Sequence, residues 1–152
     1  MRLLTVGRPK VGAIEQQILE YLKRLSGWMR LRWDVVPEVA FRPGQEHYAQ
    51  QSESQALLGK VSSREFMILL DIDGEMVSSL ELSRRVIGWQ DQGHSLVFVV
   101  GGSLGVDQAV RDRAQWRWSL SCLTLPHSLA QLVVVEQLYR AYAIYHHHPY
   151  HK

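Results

Sequence analysis

The sequence predicts an α/β domain in which helices flank a mostly parallel sheet. Strand-like and helix-like segments alternate along the chain. The strongest strand-like segments, residues 66–71 and 96–100, are unbroken apolar runs. Such runs are typical of parallel strands that are buried on both faces. Because no linker, repeat or low-complexity segment divides the 152 residues, we expect a single domain over residues 1–152.

The first half of the chain predicts a strand, a helix, a second strand and a second helix. These elements are expected at residues 2–6, 13–25, 31–35 and about 50–60. Gly7 ends the first strand and Pro37 closes the second. The polar stretch at residues 41–54 differs from its surroundings, and we expect it to be a mobile, solvated loop that leads into the second helix.

The second half of the chain continues the alternation. We expect a central strand at residues 66–71, a helix from Ser78 or Ser79 to Gly93, a strand at 96–100, a short helix from Asp107 to Arg113, a strand at 118–122 and a long helix at 128–145. The Asp-Gly pair at residues 73–74 predicts a turn after the central strand, and Ser128 is expected to cap the long helix.

The long helix predicts a homodimer. Its apolar residues spread around the helical wheel: Leu129, Leu132, Val133, Val134, Val135, Leu138, Tyr139, Tyr142 and Ile144. A helix that packs only on its own sheet needs one apolar stripe, so a second apolar face indicates a second partner. Another copy of the chain is the simplest such partner. Glu136 and Arg140, four residues apart, are expected to form a helix ion pair.

Composition indicates which partners and which cellular compartment suit the protein. The net charge of +2 is compatible with nucleic acid binding, but it is far from the strong bias of a bulk duplex binder. The single cysteine, Cys122, fits a reducing compartment, and we expect a small buried residue there rather than a reactive thiol. The first residues have too few apolar side chains before their charges to predict a signal peptide, and no apolar run is long enough to predict a membrane span, so we expect a cytoplasmic protein.

Three strand ends carry unusual sequence, at residues 71–74, 101–105 and 124–127. Ligands of parallel α/β sheets bind beyond the carboxyl ends of strands, so we expect these segments to converge on one pocket. The glycines at 101, 102 and 105 allow the backbone to approach an adenine or a phosphate. Their spacing matches neither a dinucleotide fingerprint nor a P-loop, and a purely structural turn is an equal alternative.

Histidines mark two further positions. His127 follows Pro126 at the start of the long helix, where it serves either the chemistry of the pocket or simply the free helix N–H groups. The tail at residues 146–152 contains four histidines, but no cysteine or carboxylate spacing supports a metal site. A solvated tail is one interpretation, and an RNA-binding tail with an aromatic stacker at Tyr150 is the other.

Five motifs follow one another in the second half of the chain: Phe-Val-Val-Gly-Gly-Ser-Leu-Gly at 98–105, Trp-Ser-Leu-Ser at 118–121, Leu-Thr-Leu-Pro-His at 123–127, Glu-Gln-Leu-Tyr-Arg-Ala at 136–141 and His-Pro-Tyr-His-Lys at 148–152. Together they closely resemble the RlmH family, the 23S rRNA pseudouridine N3-methyltransferases of the SPOUT class. The resemblance extends over essentially the whole chain. Where the family usually has an arginine, four residues after the motif histidine, this chain has Gln131.

The resemblance implies a SPOUT-type knotted methyltransferase with a deep C-terminal trefoil knot, a homodimer, and S-adenosyl-L-methionine bound in the knot without a metal. Carried over by position, the cofactor contacts are Leu70, Gly101, Gly102, Leu120, Ser121, Cys122, Leu123, Thr124 and Leu125. The residues expected on the catalytic, RNA-facing side are His127, Tyr150 and His151. Tyr150 and His151 are expected to close over an active site, that of the same subunit or of the other.

The predicted reaction transfers a methyl group from S-adenosylmethionine to N3 of a pseudouridine in 23S rRNA. The base must be unstacked or presented from a loop, which suits recognition of folded RNA. Two alternatives stay open. One is a non-catalytic RNA-binding factor of ribosome assembly, and the other is a SPOUT methyltransferase that acts on tRNA.

Overall fold

The computed structural model describes residues 1–152 and contains one five-stranded sheet with helices on both faces. The strands are β1 (Arg2–Val6), β2 (Arg32–Val36), β3 (Glu65–Met76), β4 (Ser95–Val100) and β5 (Trp116–Ser119). They lie in the order β2-β1-β4-β3-β5, and every pairing is parallel. The predicted α/β class with a mostly parallel sheet is confirmed. The predicted trefoil knot stays a prediction.

Five helices connect and cover the strands: α1 (Gly12–Leu25), α2 (Glu46–Lys60), α3 (Ser79–Asp91), α4 (Gln108–Arg113) and α5 (His127–Tyr145). Side chains of β4 alternate between the two faces of the sheet. Leu96, Phe98 and Val100 belong to the core under α1, α3 and α5. Val97 and Val99 belong to the core under α2 and α4. Burial on both faces explains why this strand is an unbroken apolar run.

Helix α5 is the central helix of its layer. It packs against α1 on one flank, against α3 on the other, and against the sheet through β4. Much of the apolar surface of α5 is therefore covered within the chain. The prediction that its second apolar face needs another copy of the chain is to this extent wrong, because α1 and α3 cover much of that surface. Leu132, Val133 and Ile144 stay partly exposed and Leu129 is exposed. No helix of the structure combines the length and the apolar character that crossing a membrane requires.

The predicted turn at residues 73–74 is wrong, because β3 continues to Met76. The strand pairs with β5 on both sides of an irregularity between Leu70 and Glu75. A Cβ atom at Gly74 would lie 2.7 Å from the carbonyl carbon of Arg117. The glycine therefore allows two backbones to approach each other closely within the bulge.

The predicted mobile loop at residues 41–54 is also wrong over most of its length, since α2 begins at Glu46. Its first turns are held by the loop that follows β4. Gln50 Nε2 donates to the carbonyl oxygen of Leu104 at 2.7 Å, and Ser54 Oγ accepts from the backbone N–H of Asp107 at 2.9 Å. Polar side chains that suggested solvent thus form internal hydrogen bonds.

Three smaller predictions differ from the structure near the chain's last strand. Strand β5 ends at Ser119 rather than at residue 122. Helix α5 begins at His127, and no side chain caps it, so Ser128 is not the cap. Cys122 is exposed, because the chain has already left the sheet at that point, and its Sγ lies 3.6 Å from Met76 Sδ.

Candidate active site

The three unusual strand ends meet at one cavity of about 650 Å³ at the carboxyl edge of the sheet. Leu70 and Asp71 of β3, the segment around Gly101 after β4, and the loop from β5 to α5 form its walls. A cavity of this size holds a drug-sized or nucleoside-sized ligand. Its place beyond the carboxyl ends of parallel strands is the usual place for ligands in α/β domains.

Most of the predicted cofactor contacts line this cavity. They are Leu70, Gly101, Gly102, Leu120, Ser121, Leu123, Thr124 and Leu125. Cys122 belongs to the same loop but is not part of the cavity wall, since its thiol faces Met76 instead. The loop therefore turns its backbone and its leucines toward the cavity and its cysteine away from it.

The loop between β5 and α5 keeps backbone polar groups free. Ser119 Oγ donates to the carbonyl oxygen of Ser121 at 3.0 Å, and Ser121 Oγ accepts from the N–H of Leu123 at 3.0 Å. These two bonds set the local turn. The backbone N–H and carbonyl groups of Thr124 and Leu125 make no hydrogen bond within the protein. They are free to pair with the polar edge of a ligand.

Gly102 lies in the glycine loop, residues 101–105 after β4, and the side chains packed behind this loop leave no room for a Cβ atom. A Cβ atom there would lie 2.4 Å from Glu53 Oε2 and 3.1 Å from Val6 Cγ1. Glycine therefore lets the loop pack against its own neighbours, which supports the structural alternative for this motif. The same close packing places the Gly102 backbone in the cavity wall.

Glu53 is a buried acid that the sequence reasoning missed. The residue is 4% exposed, and its Oε1 accepts from the N–H of Val39 at 2.8 Å. Its Oε2 has no hydrogen-bond partner. Burial raises the pKa of the Glu53 carboxyl above its usual value. The signal was the spacing of Ala49, Glu53 and Leu57, which places the acid on the buried stripe of α2.

Gln131 is a second buried polar residue near the cavity. It is 0% exposed, its Nε2 donates to the carbonyl oxygen of Gly7 at 3.4 Å, and its Oε1 has no partner. The long bond is weak. At the position where the resemblance leads one to expect an arginine, this chain thus has a neutral side chain that points into the fold at the end of β1.

A charged cluster borders the cavity on the β3 side. The carboxylate of Asp71, 3% exposed, accepts from Arg111 Nε at 3.1 Å and lies 3.5 Å from Arg117 Nη1. Arg111 itself lines the cavity. The sequence pointed to Leu70 and to the strand end that begins at Asp71, but not to Arg111, because the ion pair joins elements about 40 residues apart. The ion pair with Asp71 thus holds the guanidinium of Arg111 at the edge of the cavity.

His127 and the predicted tail residues lie in different places. His127 lines the cavity at the first position of α5. Tyr150 donates a hydrogen bond to Glu136 Oε1 at 2.9 Å, and its hydroxyl lies 3.1 Å from that of Tyr21. Glu136 is nine residues along α5, which separates it from His127 by about 14 Å along the helix axis. Tyr150 and His151 do not line the cavity of their own chain.

The tail is packed rather than solvated around Tyr150. Its ring makes an edge-on contact with Tyr139 at 4.7 Å, and the guanidinium of Arg140 lies 4.7 Å from its centroid. Burial, together with hydrogen bonds to Tyr21 and Glu136, raises the pKa of Tyr150. The predicted ion pair between Arg140 and Glu136 is confirmed at 2.5 Å. His151 Nδ1 is buried without a partner.

The fold and the cavity together define a class of protein. It is a parallel α/β domain whose ligand cavity is lined by the glycine loop and by the loop between the last strand and the last helix. The comparisons with known proteins identify the family. A family model described as "Predicted SPOUT methyltransferase" matches residues 1–151, and the chain belongs to the SPOUT methyltransferase family.

Two relatives match over nearly their whole length. The "Ribosomal RNA large subunit methyltransferase H" of Streptococcus mutans serotype c is 40% identical over 157 residues, with 100% of this chain and 99% of that protein covered. The protein of the same name from an Anaeromyxobacter species (strain Fw109-5) is 41% identical over 152 residues, with the same coverage. The resemblance found in the sequence is confirmed.

Among solved structures, a probable methylase family protein from Haemophilus influenzae Rd KW20 aligns with a TM-score of 0.58. The alignment covers 99% of this chain and 70% of that chain at 12% sequence identity. At this identity the likeness shows the fold alone.

Proposed function

We propose that this protein is an S-adenosylmethionine-dependent methyltransferase that acts in the cytoplasm on N3 of a pseudouridine in 23S rRNA. The observation that carries the proposal is the cavity at the carboxyl edge, whose wall offers unpaired backbone groups at Thr124 and Leu125. The names of the relatives support the substrate class, since both are large-subunit ribosomal RNA methyltransferases.

The cavity fits an adenosyl ligand in size and in the groups that it offers. Backbone N–H and carbonyl groups of Thr124 and Leu125 suit the donor and acceptor edge of adenine. Leu70, Leu120 and Leu123 suit the faces of a flat ring. When bound, S-adenosylmethionine supplies a methyl group on a sulfonium centre that is already activated for transfer.

His127 is the candidate on the acceptor side. The imide N3 of a pseudouridine carries a proton at neutral pH and must lose it before it can accept a methyl group. His127 lines the cavity wall, and its imidazole is proposed to accept a hydrogen bond from N3–H or to stabilise the imide anion as it forms. In the first turn of α5, the backbone N–H groups of His127 and Ser128 make no hydrogen bond within the protein and lie beside this imidazole.

Tyr150 and His151 require a second subunit for the role proposed for them. Bonded to Glu136, Tyr150 lies too far along α5 to reach its own cavity. In the homodimer that we propose, built on the side of α5 where Leu129 is exposed and Leu132 partly exposed, the tail of one subunit would approach the cavity of the other. The complete site would then combine His127 of one subunit with the tail of its partner.

Mass spectrometry of 23S rRNA tests the proposal most simply. A deletion strain should lack one methylated pseudouridine, and the gene supplied in trans should restore it. A His127→Ala gene should restore it poorly, because the imidazole proposed to act on N3 is lost. The variant protein should be present at normal abundance and keep its cofactor contacts. An unchanged modification pattern in the deletion strain would refute the proposed substrate.

Calorimetry with S-adenosylmethionine separates the proposal from a non-catalytic RNA-binding factor. The proposed enzyme should give a measurable heat of binding with about one site per chain, whereas a pure RNA binder without the cofactor site should give none. Loss of a methylated base from tRNA in the deletion strain, with 23S rRNA unaffected, would favour the tRNA alternative.

A further inference from the structure

A second concave surface lies on the opposite edge of the sheet, at the amino ends of the strands. This basic groove, of about 800 Å³, is lined by the first residues of four strands, Arg2, Arg32, Glu65 and Ser95, and by Arg30, Lys60 and Arg64 nearby. Five-residue strands at about 3.3 Å per residue separate it from the carboxyl-edge cavity by roughly 15 Å. The two sites are therefore distinct.

Cations without a carboxylate partner are concentrated at this groove. Most of the 17 lysines and arginines form salt bridges, and seven do not: Lys23, Arg30, Arg42, Lys60, Arg64, Arg113 and Lys152. Arg30, Lys60 and Arg64 line the groove. Arg113 adjoins it, since its Nη2 donates to the carbonyl oxygens of Ser62 and Glu65 at 2.7 and 3.0 Å. Four of the seven thus share one surface.

The carboxylates at the groove are already neutralised by ion pairs with Arg2 and Arg32. The guanidinium of Arg2, 13% exposed, makes two bonds of 2.7 Å to Glu65 and one of 2.8 Å to Asp34. Asp34 also accepts from Arg32 at 3.0 Å. Such forked pairs are strong and well oriented. Glu65 and Asp34 are therefore already neutralised and do not compensate the other cations of the groove. Arg30, Lys60 and Arg64 are exposed and attract anions.

The lining also indicates which part of a nucleic acid the groove contacts. Met1 is its one apolar lining residue, and no aromatic side chain lines it. Bases stack on aromatic side chains, whereas phosphates pair with arginine and lysine. We propose that this groove binds the phosphate backbone of an RNA helix, as a second RNA contact on the edge opposite the active-site cavity. The identity of that RNA as ribosomal rests on the proposed function.

Charge reversal tests the groove directly. The double variant Arg30→Glu/Arg64→Glu alters two side chains that make no side-chain hydrogen bond or salt bridge within the protein, so the fold should be preserved. The control Lys23→Glu/Arg84→Glu changes the net charge equally at exposed positions away from the groove. Dissociation constants for isolated large ribosomal subunits and for a 20-base-pair RNA duplex are measured from 50 to 300 mM KCl.

The groove variant should bind both RNAs at least ~10-fold more weakly at 100 mM KCl, and its slope of log affinity against log salt should shrink by about two, one for each lost phosphate contact. The control should keep the wild-type slope. Equal losses in both variants, or a wild-type slope in the groove variant, would overturn the proposal. The proposal would also be overturned if the wild type bound phosphatidylserine vesicles but not RNA and the Arg30→Glu/Arg64→Glu variant lost the vesicle binding.

Two further readouts separate this proposal from the proposed function. S-adenosylmethionine affinity should be the same in all three proteins, because the cavity lies on the other edge. If the wild type transfers no methyl group to rRNA yet binds RNA through the groove, the proposed function fails alone. If the wild type methylates rRNA and the groove variant binds and methylates normally, the groove proposal fails alone.

Discussion

At the scale of single residues, the contact between Gly102 and Glu53 links the cavity wall to the core. Because a Cβ at Gly102 would lie 2.4 Å from Glu53 Oε2, Gly102→Ala should destabilise the protein by about 1–3 kcal/mol. In a Glu53→Ala background the same change should cost at least ~1 kcal/mol less, since the opposing atom is gone. Urea unfolding of the four proteins of this cycle measures the coupling, and additive costs would contradict the close contact.

The buried carboxyl of Glu53 also predicts a pH dependence. Burial is the main cause of its raised pKa, with Glu38 adding to the shift while the Val39 N–H and His127 oppose it. Between the ordinary carboxyl pKa of 4.5 and the raised one, the folded protein keeps a proton that the unfolded chain has lost. Stability from this group is therefore complete below the ordinary pKa and is lost as the pH rises through the raised one.

Glu53→Gln should remove this dependence, because the amide keeps the bond from Val39 but does not titrate. The free energy of unfolding of the wild type, measured against that of Glu53→Gln from pH 4 to 8, should fall with rising pH. A constant difference across this range would mean that Glu53 titrates alike in the folded and unfolded states.

At the scale of the elements, Gly74 shows how a strand depends on its neighbour. Gly74→Ala should destabilise the protein by about 2–3 kcal/mol, because the new Cβ would meet the backbone of Arg117 and Trp118, which cannot rotate away. Gly59→Ala is the matched control. Its Cβ meets nothing within 4 Å in helix α2, so it should be neutral or stabilise by about 0.5–1 kcal/mol. Thermal unfolding distinguishes the two outcomes.

The same scale shows what the sequence could predict. Strands such as β4 and helices such as α1 were predictable because burial imposes a local pattern of apolar residues. The role of Gly74 was not, since β5 creates it from more than 40 residues away. The start of α2 was missed for a similar reason, because Gln50 and Ser54 find their partners in the loop after β4.

The candidate site was predictable to a similar degree. The loops that form the cavity follow strand ends and carry glycine or proline, so the sequence and its family resemblance placed Gly102 and His127 correctly in one cavity wall. The orientation of Cys122, the burial of Glu53 and the pairing of Arg111 with Asp71 depend on packing between distant elements. No local pattern encodes these contacts.

At the scale of the whole molecule, we expect a homodimer built on the exposed side of α5. Light scattering at micromolar concentration should give twice the mass of the 17.5 kDa chain. Leu129→Glu should shift the protein toward monomer, because it places a charge on an apolar side chain that is exposed in the single chain and would be buried in the dimer. Lys23→Glu, an exposed change elsewhere, should leave the dimer intact. A monomeric wild type would refute the dimer and, with it, the proposed role of Tyr150.

The central claim is that this chain transfers a methyl group to a pseudouridine of 23S rRNA. The most direct measurement incubates the purified protein with tritiated S-adenosylmethionine and ribosomes from the deletion strain, and then locates the label in RNA digests. We predict about one methyl group per ribosome on N3 of a single pseudouridine, with at least ~10-fold slower transfer by His127→Ala at an S-adenosylmethionine affinity within about threefold of wild type. Absence of transfer by the folded wild-type protein, or label found only in tRNA, would contradict the account.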